Sequence, residues 1–363
     1  MSVRYVAVQW TRTKVIYDTV LVVGIALFLQ VFERMARATL HGDRALSPEV
    51  LDMRAWGACA FTMLSLILCI GPLARLDRRF APLLYNRRHF GVAMSLVALG
   101  HAWHVLGFYY AYSSVRPLAA LFENDDVFTT SSLPFPLLGA AALAIVVGMA
   151  ATSHDFWQKL LGARAWKSLH MLVYLAYALV VLHVAFGVMQ TETSPLLVGA
   201  FLGSVVVVVG LHLVASSRSA AQDRAPSTET QKDGKRWLDA GPVSAVPKHR
   251  PLPVIGPRGE KIAVVRHAGG LSAMHGVCAH QGGPLTEGRV IDGCLTCPWH
   301  GWQYRPEDGC APPPFVEKLP TYELRVENGR LFVCAEPQPA GTKLPPVPID
   351  ESTAPETPEA GHA

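Results

Sequence analysis

Two short stretches carry side chains of a kind and spacing that can hold a metal centre. The first is Cys278-Ala-His280. The second is Cys294-Leu-Thr-Cys297-Pro-Trp-His300-Gly-Trp-Gln-Tyr304. Each offers thiolate and imidazole, the ligand types of zinc and iron–sulfur sites. Residues 281–296 separate the Cys-His pairs 278/280 and 297/300, so two loops must pinch together to unite them. Gly282, Gly283 and Gly301, with Pro284 and Pro298, suit tight loops with exposed backbone. Zinc is one reading, because Cys294 and Cys297 form half of a ribbon-type ligand set. No second pair of that spacing completes it. Cys-x-His with Cys-Pro-x-His-Gly is the more specific signal. It suits a centre in which one iron takes two thiolates and the other two imidazoles.

A second set of imidazoles lies in apolar sequence. His89 and His101 belong to one hydrophobic run, His170 and His183 to another. Imidazole inside such a run is a functional signal by default. At 1.5 Å per residue, each second histidine lies about 18–20 Å along its helix from the first. Two runs pointing the same way thus offer His89 with His170 and His101 with His183 at matching depths. Axial ligation of two b-type hemes explains that spacing. His89, beside Arg87 and Arg88, equally suits an interfacial histidine. His104, one turn beyond His101, is a propionate partner, a second-shell residue or an alternative ligand.

These residues require a membrane part and a soluble part. Half of the 363 residues are hydrophobic, 17% are charged, and the net charge is +4. Long charge-free runs are confined to residues 1–217. Six apolar segments approach the ~20 residues that cross a bilayer: about 15–31, 55–74, 90–113, 133–152, 168–190 and 194–216. Arg4, Arg12 and Lys14 precede the first, without the small-residue cleavage site of a signal peptide. Arg75, Arg78, Arg79, Arg87 and Arg88 crowd one inter-span loop, and Lys159, Arg164 and Lys167 another. On the positive-inside rule both termini are cytoplasmic. No basic, aromatic-interleaved patch points to nucleic acid.

Residues 218–235 read as a flexible linker, and 236–337 as short strands punctuated by Gly and Pro. Glu327-Asn328-Gly329 marks a hairpin turn. Residues 338–363, rich in Pro, Glu, Thr and Ala, read as a disordered tail. The expected fold is a six-helix all-α membrane bundle followed by a small all-β barrel or sandwich. Cys294, Cys310 and Cys334 are spare, and no disulfide framework is evident.

The Cys-x-His and Cys-Pro-x-His-Gly stretch resembles Rieske ferredoxins and the Rieske domains of ring-hydroxylating dioxygenases. That resemblance implies a [2Fe-2S] cluster held by Cys278, His280, Cys297 and His300. Trp299 and Trp302 stand where high-potential Rieske proteins carry a cysteine and a serine, while Tyr304 keeps the tyrosine position. A low-to-middle reduction potential is therefore expected. Arg87-Arg88-x-x-Gly91 followed by His101, and Trp166-Lys167-x-Leu-His170 followed by His183, resemble the ferric-reductase-like transmembrane domain. This resemblance covers residues 50–215 and implies one or two hemes b. His101, His170 and His183 match the type found in the heme-binding subunit of the methionine sulfoxide reductase system.

Together the resemblances imply a multi-pass inner-membrane oxidoreductase with its Rieske domain on the cytoplasmic side. Electrons would pass from a cytoplasmic donor, a ferredoxin reductase or flavoprotein, through cluster and heme to an extracytoplasmic or membrane acceptor. No flavin- or NAD-binding fingerprint is present. An electron-supply subunit of a separate oxidoreductase, or a non-catalytic heme or redox sensor, are the alternatives.

Overall fold

The computed structural model describes residues 12–39, 46–80, 83–84, 86–112, 116, 119, 135–223, 227–280, 282–298 and 301–349. Two compact units divide near Ala215.

In the first unit, α1 (Arg12–Thr39), α2 (Pro48–Leu76), α3 (Arg87–Tyr112), α4 (Phe135–Ala151), α5 (Asp155–His170), α6 (Val173–Phe186) and α7 (Pro195–Asp223) follow one another. Ser47 caps α2 through its hydroxyl, and Pro48 opens the helix where a missing N–H costs nothing. Large apolar side chains such as Val20, Leu96, Leu175 and Val206 point outward. Water penalises that arrangement and hydrocarbon does not. Among the described residues, five apolar helical stretches are long enough to cross a membrane, and α4, with 17 residues, is shorter.

Among the described residues the expected six helices become seven. The basic loop between the fourth and fifth apolar segments folds into α5, kinked at Gly162 (φ 77°, ψ 154°). The fifth segment is divided at Met171 and Leu172, where i→i+3 bonds tighten the chain, as from Leu172 N–H to the Leu169 carbonyl. Among the described helices, packing is most extensive between α2 and α3 and between α4 and α6. The bundle is thus built on two helix pairs.

The second unit is all-β. One sheet runs β1 (Glu229–Lys232), β2 (Lys235–Pro242), β11 (Arg330–Cys334), β10 (Leu324–Glu327). Another runs β3 (Leu252–Ile255), β4 (Lys261–His267), β5 (Gly270–His275), β9 (Thr321–Tyr322). A third, smaller sheet joins β6 (Arg289–Ile291), β7 (Cys294–Thr296) and β8 (Gln303–Tyr304). Three hairpins turn on a left-handed residue before glycine: Asp233-Gly234, Asp292-Gly293 and Asn328-Gly329. Type I′ turns demand positive φ at both positions.

Strand period fixes how the site is carried. Ile262 and Val264 on β4 face a core with Leu238, Leu271, Leu331 and Val333. The intervening Ala263 and Val265 face a second core with Met274, Leu285, Leu295 and Tyr304. One strand is therefore buried on both faces, and it joins the sandwich to the site-bearing sheet.

Two expected boundaries move. The segment 218–235 is not a continuous linker: α7 reaches Asp223, and β1 already begins the β-unit at Glu229. Residues 338–349 are not a free tail. Gln338 N–H donates to Thr321 O, Gly341 N–H to Leu319 O and Leu344 N–H to Glu307 O, and Val347 pairs with Leu271. A Cβ on Gly270 (φ 124°) would run into the Val347 carbonyl, so this strap requires glycine there. Residues 350–363 lie outside the described residues.

Candidate functional site

The two cysteine loops share one backbone pattern. Gly282 N–H donates to Cys278 O at 2.8 Å, and Cys278 N–H to Gly283 O at 2.8 Å. Gly301 N–H donates to Cys297 O at 3.0 Å, and Cys297 N–H to Trp302 O at 2.8 Å. Gly282 and Gly301 have φ of 73° and 69°, which lets each loop close on itself. Cys278 and Cys297, each 2% exposed, lie in one buried cluster beside Tyr304. The Tyr304 hydroxyl is 3.3 Å from Cys278 Sγ and donates to it once that sulfur is a thiolate. Burial raises the Tyr304 pKa well above the usual phenol range, which keeps that donor protonated.

His280 stacks face to face on Trp302, with centroids 4.0 Å apart, and Trp302 packs on Phe315. His300 and Trp299 lie outside the described residues. Among the described residues no group of three or more His, Cys, Asp or Glu side chains is poised around a common metal position. The described part of the set, two buried thiols and a half-buried imidazole on glycine-closed loops, fits an iron–sulfur centre. Burial raises the pKa of the neighbouring Cys294 thiol, which keeps it a protonated bystander.

In the bundle, His101 and His183 come together with ring centroids 6.2 Å apart and planes at 73°. His101 Nδ1 donates to the Met53 carbonyl at 2.9 Å, and His183 Nδ1 to the Phe135 carbonyl at 2.9 Å. A carbonyl only accepts, so each ring carries its proton on Nδ1, and Nε2 is the nitrogen left to bind a metal. One helical turn beyond each carbonyl stands a glycine. A Cβ on Gly57 would lie 3.0 Å from the His101 ring, and one on Gly139 would lie 2.9 Å from the His183 ring. Two imidazoles on opposite sides of one iron place their centroids about 6 Å apart, given ~2 Å metal–nitrogen bonds. The pair fits bis-histidine heme.

The other two histidines are not assembled alike. His170 donates from Nδ1 to Trp166 O at 3.0 Å and stacks on Trp166 at 3.8 Å. Its Nε2 is buried without a hydrogen-bond partner. His89 turns to α1, where its Nδ1 is 3.0 Å from both oxygens of Asp18. Asp18 thus holds the Nδ1 edge of His89, as backbone carbonyls hold those of His101 and His183. On an unbroken helix, His89 lies about 120° around the axis from His101. His104 packs against Trp56 at 5.7 Å.

Sequence reasoning missed Gly57, Gly139 and the carbonyls of Met53 and Phe135. Glycine in an apolar helix facing a histidine on the next one was the available signal. Asp18 stood out only as a charge weakening the first span.

A membrane bundle holding an intramembrane imidazole pair, joined to a β-module with matched cysteine loops, defines a membrane electron-transfer protein. Residues 236–323 match the Rieske [2Fe-2S] domain, the family to which this part of the chain belongs, and residues 56–181 match the ferric reductase like transmembrane component. The Rieske part is 38% identical over 80 residues to the alkene monooxygenase system ferredoxin component of Xanthobacter autotrophicus (22% of this chain, 66% of that one). It is 34% identical over 101 residues to the anthranilate 1,2-dioxygenase ferredoxin subunit of Burkholderia cepacia (27% and 90%). The chain is also 30% identical over 142 residues to the protein-methionine-sulfoxide reductase heme-binding subunit MsrQ of Polaromonas naphthalenivorans (38% and 58%). The chain therefore spans just under two thirds of the first relative, and about a quarter of the oxygenase components it also matches.

Proposed function

We propose that the protein carries single electrons across a membrane, from a donor on the side of the Rieske module to an acceptor on the opposite side. The observation that carries this reading is the His101–His183 pair, locked by matched carbonyls with Nε2 of each ring available. A b-type heme bound there supplies one-electron chemistry within the hydrocarbon. Met53 and Phe135 fix the ligand tautomers and raise their basicity, while Gly57 and Gly139 make room for the rings.

In the module, Cys278 and Cys297 would hold one iron of the cluster, and His280 and His300 the other. Those imidazoles would be the exit for the electron. Tyr304 stabilises the thiolate of Cys278 by hydrogen bonding. The basic stretches 75–88 and 159–167 support a module on the cytoplasmic side of an inner membrane, where a ferredoxin reductase or flavoprotein would be its donor.

The reading is tested by combined optical and EPR titration of the purified protein. A Rieske signal with low-spin b-type heme is expected, with the cluster midpoint below about +200 mV, the upper part of the Rieske range. An intact cluster with no bound heme defeats it. In reconstituted vesicles, reduction of an enclosed ferric chelate is expected to depend on His183. A second reading is a subunit feeding a separate reductase, favoured by the similarity to the MsrQ heme-binding subunit. It predicts heme reduction without ferric reduction.

A further inference from the structure

The stretch Gln338-Pro-Ala-Gly-Thr-Lys-Leu-Pro-Pro-Val-Pro-Ile349 lies beyond the part of the chain that matches the Rieske domain, which ends at residue 323. Pro339, Pro345, Pro346 and Pro348 carry no N–H and cannot donate to a strand ladder. The amides left between them bond outward at every third residue. Gln338 N–H donates to Thr321 O at 2.8 Å, Gly341 N–H to Leu319 O at 3.0 Å, Leu344 N–H to Glu307 O at 3.0 Å and Val347 N–H to Leu271 O at 2.9 Å. Three residues per turn is the period of the polyproline helix that such a sequence favours, interrupted here at Gly341 (φ 85°). The Thr321 hydroxyl adds a bond to Thr342 O at 2.9 Å. Leu271 N–H donates back to Val347 O at 2.8 Å, so the far end of the strap is fastened twice to β5.

These bonds converge on one hairpin. In residues 305–321, Leu319 N–H donates to Gly309 O and Ala311 N–H to Glu317 O, both at 2.9 Å, and Cys310 pairs with Lys318. The strap grips both arms, one at Glu307 and the other at Leu319 and Thr321. The body of the hairpin reaches the core of Cys278 and Cys297 through Ala311 and Leu319. Its tip carries Phe315, whose ring lies 4.2 Å from that of Trp302, and Trp302 lies parallel to His280 at 4.0 Å. An unbroken line of contacts thus runs from the strap, through the hairpin and two aromatic rings, to an imidazole.

We propose that residues 338–349 are a clasp that positions His280 through Phe315 and Trp302 and keeps water from it, so that the strap sets the reduction potential of the cluster. The proposal rests on the cluster reading of the module above. Two ferric irons, two sulfides and two thiolates sum to zero charge, and one electron makes the cluster an anion. Water admitted beside His280 favours the charged form, so a loosened clasp raises the midpoint.

The test is an EPR-monitored redox titration of the purified full chain, with thermal unfolding of the module followed in parallel. In Gly270→Ala the added methyl group meets the Val347 carbonyl and lifts the far end of the strap without touching the hairpin. In Thr321→Val the bond to Thr342 O is lost at nearly constant volume. Each is expected to favour reduction about threefold, roughly 30 mV at 59 mV per tenfold for one electron, with shifted g values. Thr321→Ser keeps the original midpoint, and in a Phe315→Ala background both shifts vanish. An unchanged midpoint and spectrum in both variants, with only a lower unfolding temperature, overturn the proposal, because the strap then braces the fold alone. Shifts that persist undiminished without Phe315 overturn it too, since the strap then acts by another route. A parent chain with no Rieske signal overturns this inference together with the cluster reading, whereas a normal signal that ignores the variants overturns this inference alone.

Discussion

The β-module and the membrane bundle solve the same problem with different backbones. In the module, two loops carry one identical pair of hydrogen bonds around Cys278 and Cys297. In the bundle, two helix pairs carry one identical arrangement of carbonyl, glycine and histidine, with the carbonyl 48 residues before the histidine in both. Each centre is built by duplication of a local geometry. The loops need positive-φ glycine to turn, whereas the helices need glycine for lack of a side chain. At His89 and His170 the surroundings differ: a side-chain carboxylate, Asp18, meets the first, and a carbonyl of its own helix, Trp166 O, meets the second. Matched surroundings, more than the presence of a ligand-type residue, mark a working site.

The largest test of that comparison is His183→Ala. Losing one of two axial ligands should cost heme affinity more than the ~10–100-fold typical of outer-shell changes, visible as loss of low-spin absorbance with the Rieske EPR signal intact. Gly139→Ala comes next, because its methyl group would lie 2.9 Å from the His183 ring. A loss of about 10–100-fold in heme affinity is expected. Gly57→Ala should behave alike if the helix pairs are equivalent, and unequal effects would break the symmetry argued above.

A smaller effect is expected at Tyr304→Phe. Removing one hydrogen bond worth about 1 kcal/mol should lower the cluster midpoint by about 40 mV, at 59 mV per tenfold for one electron, with heme potentials unmoved. The smallest is Asp18→Asn, which should leave heme content and potentials unchanged. A shift there would show that Asp18 orients a His89 that binds iron.

Much of this was legible in the sequence. Cys278, His280 and Cys297 declare themselves by spacing, and Asn328-Gly329 by turn chemistry that also governs Asp233-Gly234 and Asp292-Gly293. His101 and His183 were visible as imidazoles in apolar runs. The Asp18 partner of His89 was not read, because depth along one helix was counted and the neighbours on α1 were not. The strap 338–349 was misread because composition reports the lack of a core-forming pattern. Isolated backbone bonds such as Val347 to Leu271 leave no periodic trace. The division at Met171 and Leu172 was equally silent, since neither residue breaks a helix by propensity.

Strand β4 belongs to two cores at once, through Ile262 and Val264 on one face and Ala263 and Val265 on the other. Its amides cannot open for one core alone. In hydrogen-exchange experiments they should therefore exchange only through global unfolding of the module, as the slowest set in it. Damage to the cluster end should then register as faster exchange throughout the sandwich, making the module a single cooperative unit.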